Sequence, residues 1–223
     1  MYLCTRIFLI LYKAKTMQKQ IKNIIFDLGA VLVNLDIECC VRAFEHIGAE
    51  NVASMIKNHH LTDLILDTEL GNIDQQTFCN RVRLLVEKNL SDKDIIGAWN
   101  ALLTGIPNKK KQRLLDLRKQ YNIFLLSNTN YMHWQKCAND FFPYKGFGVK
   151  DYFNAIFLSY EMHLYKPNPD IFKEVLLQAN IVANETLFVD DRVENCLAAS
   201  KLGIHTYQNE HPDDWLTVEA LSI

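Results

Sequence analysis

The sequence predicts an α/β protein: a doubly wound parallel sheet with an all-helical insertion after its first strand. Three observations predict it. Short β-branched and aromatic runs recur along the chain, amphipathic helical patterns alternate with them, and one long interval contains only helical patterns. Asn23 to Asp27 (NIIFD), stopped by Gly29, reads as a buried parallel strand. Ile123–Ser127, Ala155–Leu158 and Thr186–Asp190 read the same way, and Ile204–Tyr207 supplies a fifth candidate. Between them, Pro107–Gln120, Asp170–Ala179 and Glu194–Leu202 carry helical patterns, the last closed by Gly203 as a C-cap.

From about Ile37 to Leu103 no strand pattern is found, only helical stretches broken at Gly48, Gly71-Asn72 and Gly97, with Gly71 read as a helix C-cap. The expected organisation is therefore an N-terminal extension over 1–16, a core over 17–36 and 104–223, and a helical cap over 37–103. The insertion follows Asp27, at the carboxyl end of strand one, where open α/β sheets bind ligands. A cap there covers a site.

The chain has 223 residues with a formal net charge of -2, so nothing in its charge balance calls for nucleic acid or an anionic membrane as partner. Six cysteines without a CxxC spacing read as reduced, packed thiols of a cytoplasmic protein. The apolar run Ile7–Tyr12 falls short of the roughly 20 residues that span a bilayer. No GxGxxG follows strand one, which argues against dinucleotide binding.

Four polar stretches fall at or just after strand ends: Asp27-Leu28-Gly29, Ser127-Asn128-Thr129-Asn130, Lys166-Pro167-Asn168-Pro169 and Asp190-Asp191-Arg192-Val193-Glu194-Asn195. Asp27 is a nucleophile candidate because a carboxylate is ionised at neutral pH and forms a labile acyl phosphate. Alone, it also reads as the cap of a turn, the lesser of the two readings. Asp190 and Asp191 are adjacent acids whose repulsion a cation would relieve. Lys166 offers a fixed positive charge on a segment stiffened by two prolines. Ser127 suits either a phosphate contact or a helix N-cap, and the backbone N–H of Asn128 could assist it.

These four stretches, in this order, resemble the motifs of the haloacid dehalogenase superfamily, over about residues 22–207. FDLGAVLVNLD, LSNTN, YKPNPDIF and FVDDRVEN are closest to its small-capped α-D-glucose-1-phosphate phosphatase type, and similar to the phosphatase domain of some epoxide hydrolases. The resemblance implies a Rossmann-like core and magnesium-dependent hydrolysis of a small phosphorylated substrate through a phospho-Asp27 intermediate. It implies Lys166 as a catalytic residue, with Ser127, Asn128 and Lys166 on the phosphate. Magnesium would be held by Asp27, the Gly29 carbonyl and Asp191, with Asp190 behind or contacting it through water. Asn195 would orient a water or the Asp191 carboxylate.

Most phosphatases of the superfamily carry an acid–base aspartate where this chain has Gly29. Asp36, Glu69, His59 and His60 are candidates to replace it. A binding protein without chemistry, and a metal-free dehalogenase using Asp27, stand as alternatives; the Asp190-Asp191 pair argues against the second.

Overall fold

A computed structural model describes residues 21–58, 60 and 62–217. Five parallel strands form the central sheet: β1 (Asn23–Phe26), β4 (Asn122–Ser127), β5 (Ala155–Leu158), β6 (Thr186–Asp190) and β7 (His205–Gln208), in the order β5-β4-β1-β6-β7. The strand reading of the sequence holds, with the last strand one residue later than expected. β1, β4 and β6 are short apolar runs because both of their faces are covered. Ile24, Phe26, Ile123, Leu125, Leu187 and Val189 pack into one apolar cluster, while Ile25, Phe124, Leu126 and Phe188 pack into another. That split is the two-residue alternation of a strand. Each such side chain, fully buried, stabilises the fold by roughly 1.5–3 kcal/mol.

Helices α6 (Asn108–Leu117), α7 (Tyr131–Lys136), α8 (Val149–Tyr152), α9 (Ser159–Met162), α10 (Pro169–Ala179) and α11 (Val193–Ser200) connect the strands. Pro169 sits in the first turn of α10, where its missing N–H costs nothing, and the Asn168 side chain caps that turn by accepting from Asp170 N.

Between β1 and β4 lie five more helices: α1 (Ile37–His46), α2 (Glu50–Lys57), α3 (Thr62–Glu69), α4 (Gln75–Val86) and α5 (Asp92–Asn100). They pack around their own apolar cluster, with Phe44, Phe78, Val82, Ile95 and Trp99 at its centre, joined from the sheet side by Met132. Gly71 follows α3 with φ +69, and its N–H bonds the Thr68 carbonyl, so it does close that helix.

The sequence gives no sign of one further element. β2 (Asn34–Leu35) and β3 (Leu103–Gly105) form a two-stranded antiparallel ribbon where the chain enters and leaves the helices. Asp36 N donates to Leu102 O at 2.8 Å and Thr104 Oγ1 to Asn34 O at 3.1 Å, tightening it. The expectations for residues 1–16 and for His59 lie outside the described residues.

Candidate active site

Register places the chemistry. Phe26 pairs with both Leu125 and Val189, so the next residues, Asp27, Leu126 and Asp190, stand level at the carboxyl edge of three adjacent strands. Lys166 reaches all three. Its ammonium donates to Asp27 Oδ1 at 2.8 Å, to Asp190 Oδ2 at 2.7 Å and to the Leu126 carbonyl at 3.1 Å. Lys166 is 1% exposed and Asp190 0%, so these are desolvated contacts. Burial opposes the charge on Lys166, but attraction to Asp27 and Asp190 outweighs it and holds the ammonium above its ordinary range.

Asn128 explains why the lysine arrives there. Its side chain donates from Nδ2 to the Lys166 carbonyl and accepts at Oδ1 from the Lys166 N–H, both at 2.9 Å. This clasp ties the loop before α10 to the end of β4. Ser127 is buried at the last position of β4. It does not cap the helix that follows: Asn130 does, accepting from His133 N at 3.0 Å.

Asp190 is held from behind. Asn195 Nδ2 lies 2.9 and 3.1 Å from its two oxygens, and the Arg192 N–H donates to Oδ1 at 2.8 Å. Asn195, expected on a water or on Asp191, therefore serves Asp190, because the first turn of α11 points it back at the strand end. Asp191, half-buried, completes a group in which carboxylate oxygens of Asp27, Asp190 and Asp191 all lie within 4.8 Å of one another. Three acids meet one ammonium. Burial pushes Asp27 up to about 7; Lys166 lowers it, while Asp190 and Asp191 add to the rise. Asp191 is raised as well, by burial and then by Asp190. A divalent cation would relieve this excess of negative charge, so the donor set fits one.

Gly29 lies in the turn that leaves β1. Its carbonyl accepts from Val31 N at 2.6 Å, and Ala30 takes a left-handed φ of 57. The turn is pinned from below: the buried Lys110 ammonium and the Trp215 indole N–H both donate to the Val31 carbonyl, at 2.6 and 3.1 Å. A Cβ on Gly29 would come 3.2 Å from the Leu35 side chain, so the place of an acid–base side chain is partly taken by leucine.

Of the replacements considered for that acid, Asp36 is spent as the cap of α1, accepting from Cys39 N at 3.1 Å. His60 is exposed and lines a separate hollow among the helices with Met55 and Leu64. Glu69 lines a cavity of about 180 Å³ with Gly29, Ser127 and Asn128. Sequence reasoning missed Tyr165 and Trp99. Tyr165 faces Glu69 and favours its charged form, and Trp99 lines the same cavity while stacked on His133 at 4.9 Å. Tyr165 had one available signal, its place directly before Lys166.

Residues 24–208 match the model of the haloacid dehalogenase-like hydrolase family. D-ribitol-5-phosphate phosphatase of Bacteroides thetaiotaomicron is 33% identical over 197 residues, covering 87% of this chain and 95% of that protein. Among solved structures, a HAD family enzyme of the same organism, in complex with magnesium and inorganic phosphate, has a TM-score of 0.83. It is 44% identical, covering 87% of this chain and 97% of that one. A predicted HAD-like hydrolase of Porphyromonas gingivalis has a TM-score of 0.80 at 33% identity, covering 88% and 95%. With the parallel sheet, the strand-end acids and the buried lysine, these likenesses establish that the chain belongs to the haloacid dehalogenase-like hydrolase family.

Proposed function

We propose that the protein hydrolyses small phosphomonoesters, a sugar or polyol phosphate in particular, with magnesium and through a phospho-Asp27 intermediate. The observation that carries this reading is the cluster of buried Asp27, Lys166 and Asp190 with half-buried Asp191 at one sheet edge. Phosphoryl transfer needs an in-line nucleophile and neutral surroundings for the equatorial oxygens, and little other chemistry from the protein. Asp27 is the nucleophile. Lys166 keeps it oriented and offers positive charge to the phosphate, with the Ser127 hydroxyl and the Asn128 N–H as further donors. Asp27, Asp191 and the Gly29 carbonyl would hold the magnesium ion, whose charge lets an anionic phosphate approach an anionic carboxylate. Asp190, engaged by Lys166 and Asn195, fixes the lysine from behind.

The helices over 37–103 act as the cap, and 17–36 with 104–223 as the core. The cavity between them, about 180 Å³ and largely apolar-walled, is smaller than the roughly 300–1,000 Å³ of sites for drug-sized ligands. That size supports a short polyol or sugar leaving group over a nucleotide. The phosphatase acting on D-ribitol 5-phosphate among the relatives supports the same class. Free thiols at Cys39, Cys40, Cys79, Cys137 and Cys196 support a cytoplasmic setting. Among the described residues no helix is long and apolar enough to cross a membrane.

The test is phosphate release from a panel of sugar, polyol, nucleotide and acyl phosphates, with magnesium and with chelator, for wild type and Asp27→Asn. Magnesium-dependent release is expected for small polyol phosphates and none for the variant. Release by the variant at more than a small fraction of the wild-type rate would sink the covalent mechanism. No release by wild type from any ester would favour the binding-protein alternative. Metal-free halide release from a 2-haloacid would favour the dehalogenase.

A further inference from the structure

An alkoxide leaves phosphorus readily only if it is protonated as the bond breaks, and water attacks a phosphoenzyme readily only if a base takes its proton. None of the clustered groups is placed to do this. Asp27 is consumed as the nucleophile, Asp190 is held by Lys166, Asn195 and the Arg192 N–H, Asp191 is assigned to the magnesium ion, and Gly29 has no side chain.

Among the described residues lining the cavity over Leu28, Gly29 and Ser127, at the end of β1 and β4, two side chains titrate: Glu69 and His133. His133 is already engaged at both ring nitrogens. Its Nδ1 faces Asn130 Nδ2 and its Nε2 faces the Trp99 carbonyl, each at 3.2 Å. Burial brings it down to about 4, so it is neutral at physiological pH. Glu69 remains.

Its position is fixed by the core. Glu69 ends α3, and Ser159 Oγ donates to its carbonyl at 2.6 Å. The His163 Nδ1–H donates to the next carbonyl, of Leu70, at 2.7 Å. Tyr165 faces the Glu69 carboxyl and favours its charged form, and Tyr165 immediately precedes Lys166. The acid from the helical insertion thereby faces the loop that carries the lysine of the cluster.

We propose that Glu69 is the general acid and base of the reaction, acting from the helical insertion. This rests on the phosphatase reading above. In the first step an Asp27 carboxylate oxygen bonds to phosphorus, the ester P–O bond breaks, and the Glu69 proton passes to the departing oxygen, giving the free alcohol. In the second, water bonds to phosphorus, its proton passes to the Glu69 carboxylate, and the phosphorus–Asp27 bond breaks to give inorganic phosphate and the starting enzyme. The charge state suits both steps. Burial lifts Glu69 to about 7, held from rising further by the facing Tyr165, Arg192 and Lys166.

The test compares wild type with Glu69→Gln on a polyol phosphate and on nitrophenyl phosphate, with magnesium present. Nitrophenolate departs without a proton. The variant should lose about 10²-fold or more in kcat/KM on the polyol phosphate. On nitrophenyl phosphate it should form the phosphoenzyme at the wild-type rate in single turnover, giving a burst of nitrophenolate before slow release of phosphate. The alkaline limb of the wild-type kcat/KM profile on the polyol phosphate should vanish in Glu69→Gln. In Tyr165→Phe it should move upward, because the facing hydroxyl favoured the carboxylate. Equal loss on both esters in a variant with wild-type melting temperature and magnesium affinity would overturn the proposal, as would an unchanged rate on the polyol phosphate. If wild type releases phosphate from neither ester, the phosphatase reading falls and this one with it.

Discussion

Replacing Lys166 by methionine keeps the length of the side chain and removes its charge. The structure sets the size of the effect. The ammonium is buried between Asp27 and Asp190 at 2.8 and 2.7 Å, and removing one partner of such a buried arrangement costs about 3–5 kcal/mol because uncompensated charge stays behind. For a chain of this size each kcal/mol moves the melting temperature by roughly 2–4 °C, so a drop on the order of 10 °C is expected. The deficit should depend on pH, and its sign follows from Asp27. Its folded value of about 7 lies above the ordinary 3.8, so the folded chain binds the extra proton. The stability gained from that proton is complete below about 4 and is lost as pH rises through about 7. Without the ammonium the carboxyl titrates higher still. Lys166→Met should therefore be most destabilised near pH 8 and recover towards wild type near pH 5.5. The assay is thermal unfolding followed by circular dichroism at about these two pH values, in chelator so that no metal substitutes for the lost charge. A variant that melts within about 2 °C of wild type near pH 8, a shift worth less than about 1 kcal/mol, would refute the bridging role.

Two further outcomes are expected. Asp191→Ala should lose the response to magnesium while melting slightly higher in chelator, since one of the repelling acids is gone; unchanged magnesium affinity by calorimetric titration would remove Asp191 from the metal-binding set. Gly71→Ala should cost about 1–2 kcal/mol from its left-handed backbone alone. Its Cβ would also fall 2.2 Å from the Tyr160 carbonyl, loosening the end of α3 from the core. A lower melting temperature with a raised KM checks this, and wild-type values of both would contradict the tight docking.

The sheet was legible because its strands are short apolar runs, buried on both faces, that end on polar residues. Ala155–Leu158 and Thr186–Asp190 agree with the observed strands residue for residue, since nothing competes with strand formation there. The β2–β3 ribbon was not legible. Strands of two and three residues have no periodicity to read, and their pairing joins residues distant along the chain. Asp27 and Lys166 were found by residue type and order, but their contact depends on the register of β1 against β6 and on the Asn128 clasp. Neither is written in local sequence. Glu69 was one acid among several until the fold separated it from Asp36, which caps a helix, and from His60, which faces a different hollow.

The ribbon also bears on how such a protein can change over generations. Asn34–Leu35 and Leu103–Gly105 run side by side, so the chain departs from the sheet and comes back through one narrow neck. Whatever is strung beyond that neck is a closed excursion, and lengthening a closed excursion raises its entropic cost only slowly. β1 and β4 stay paired in the same register whether the excursion is five helices or a short turn. Recombination at the neck can therefore exchange one lining for another while the strand-end acids and their lysine stay where they are. The strand-end cluster and the acid that the insertion brings towards it, Glu69, are thereby heritable as separate pieces.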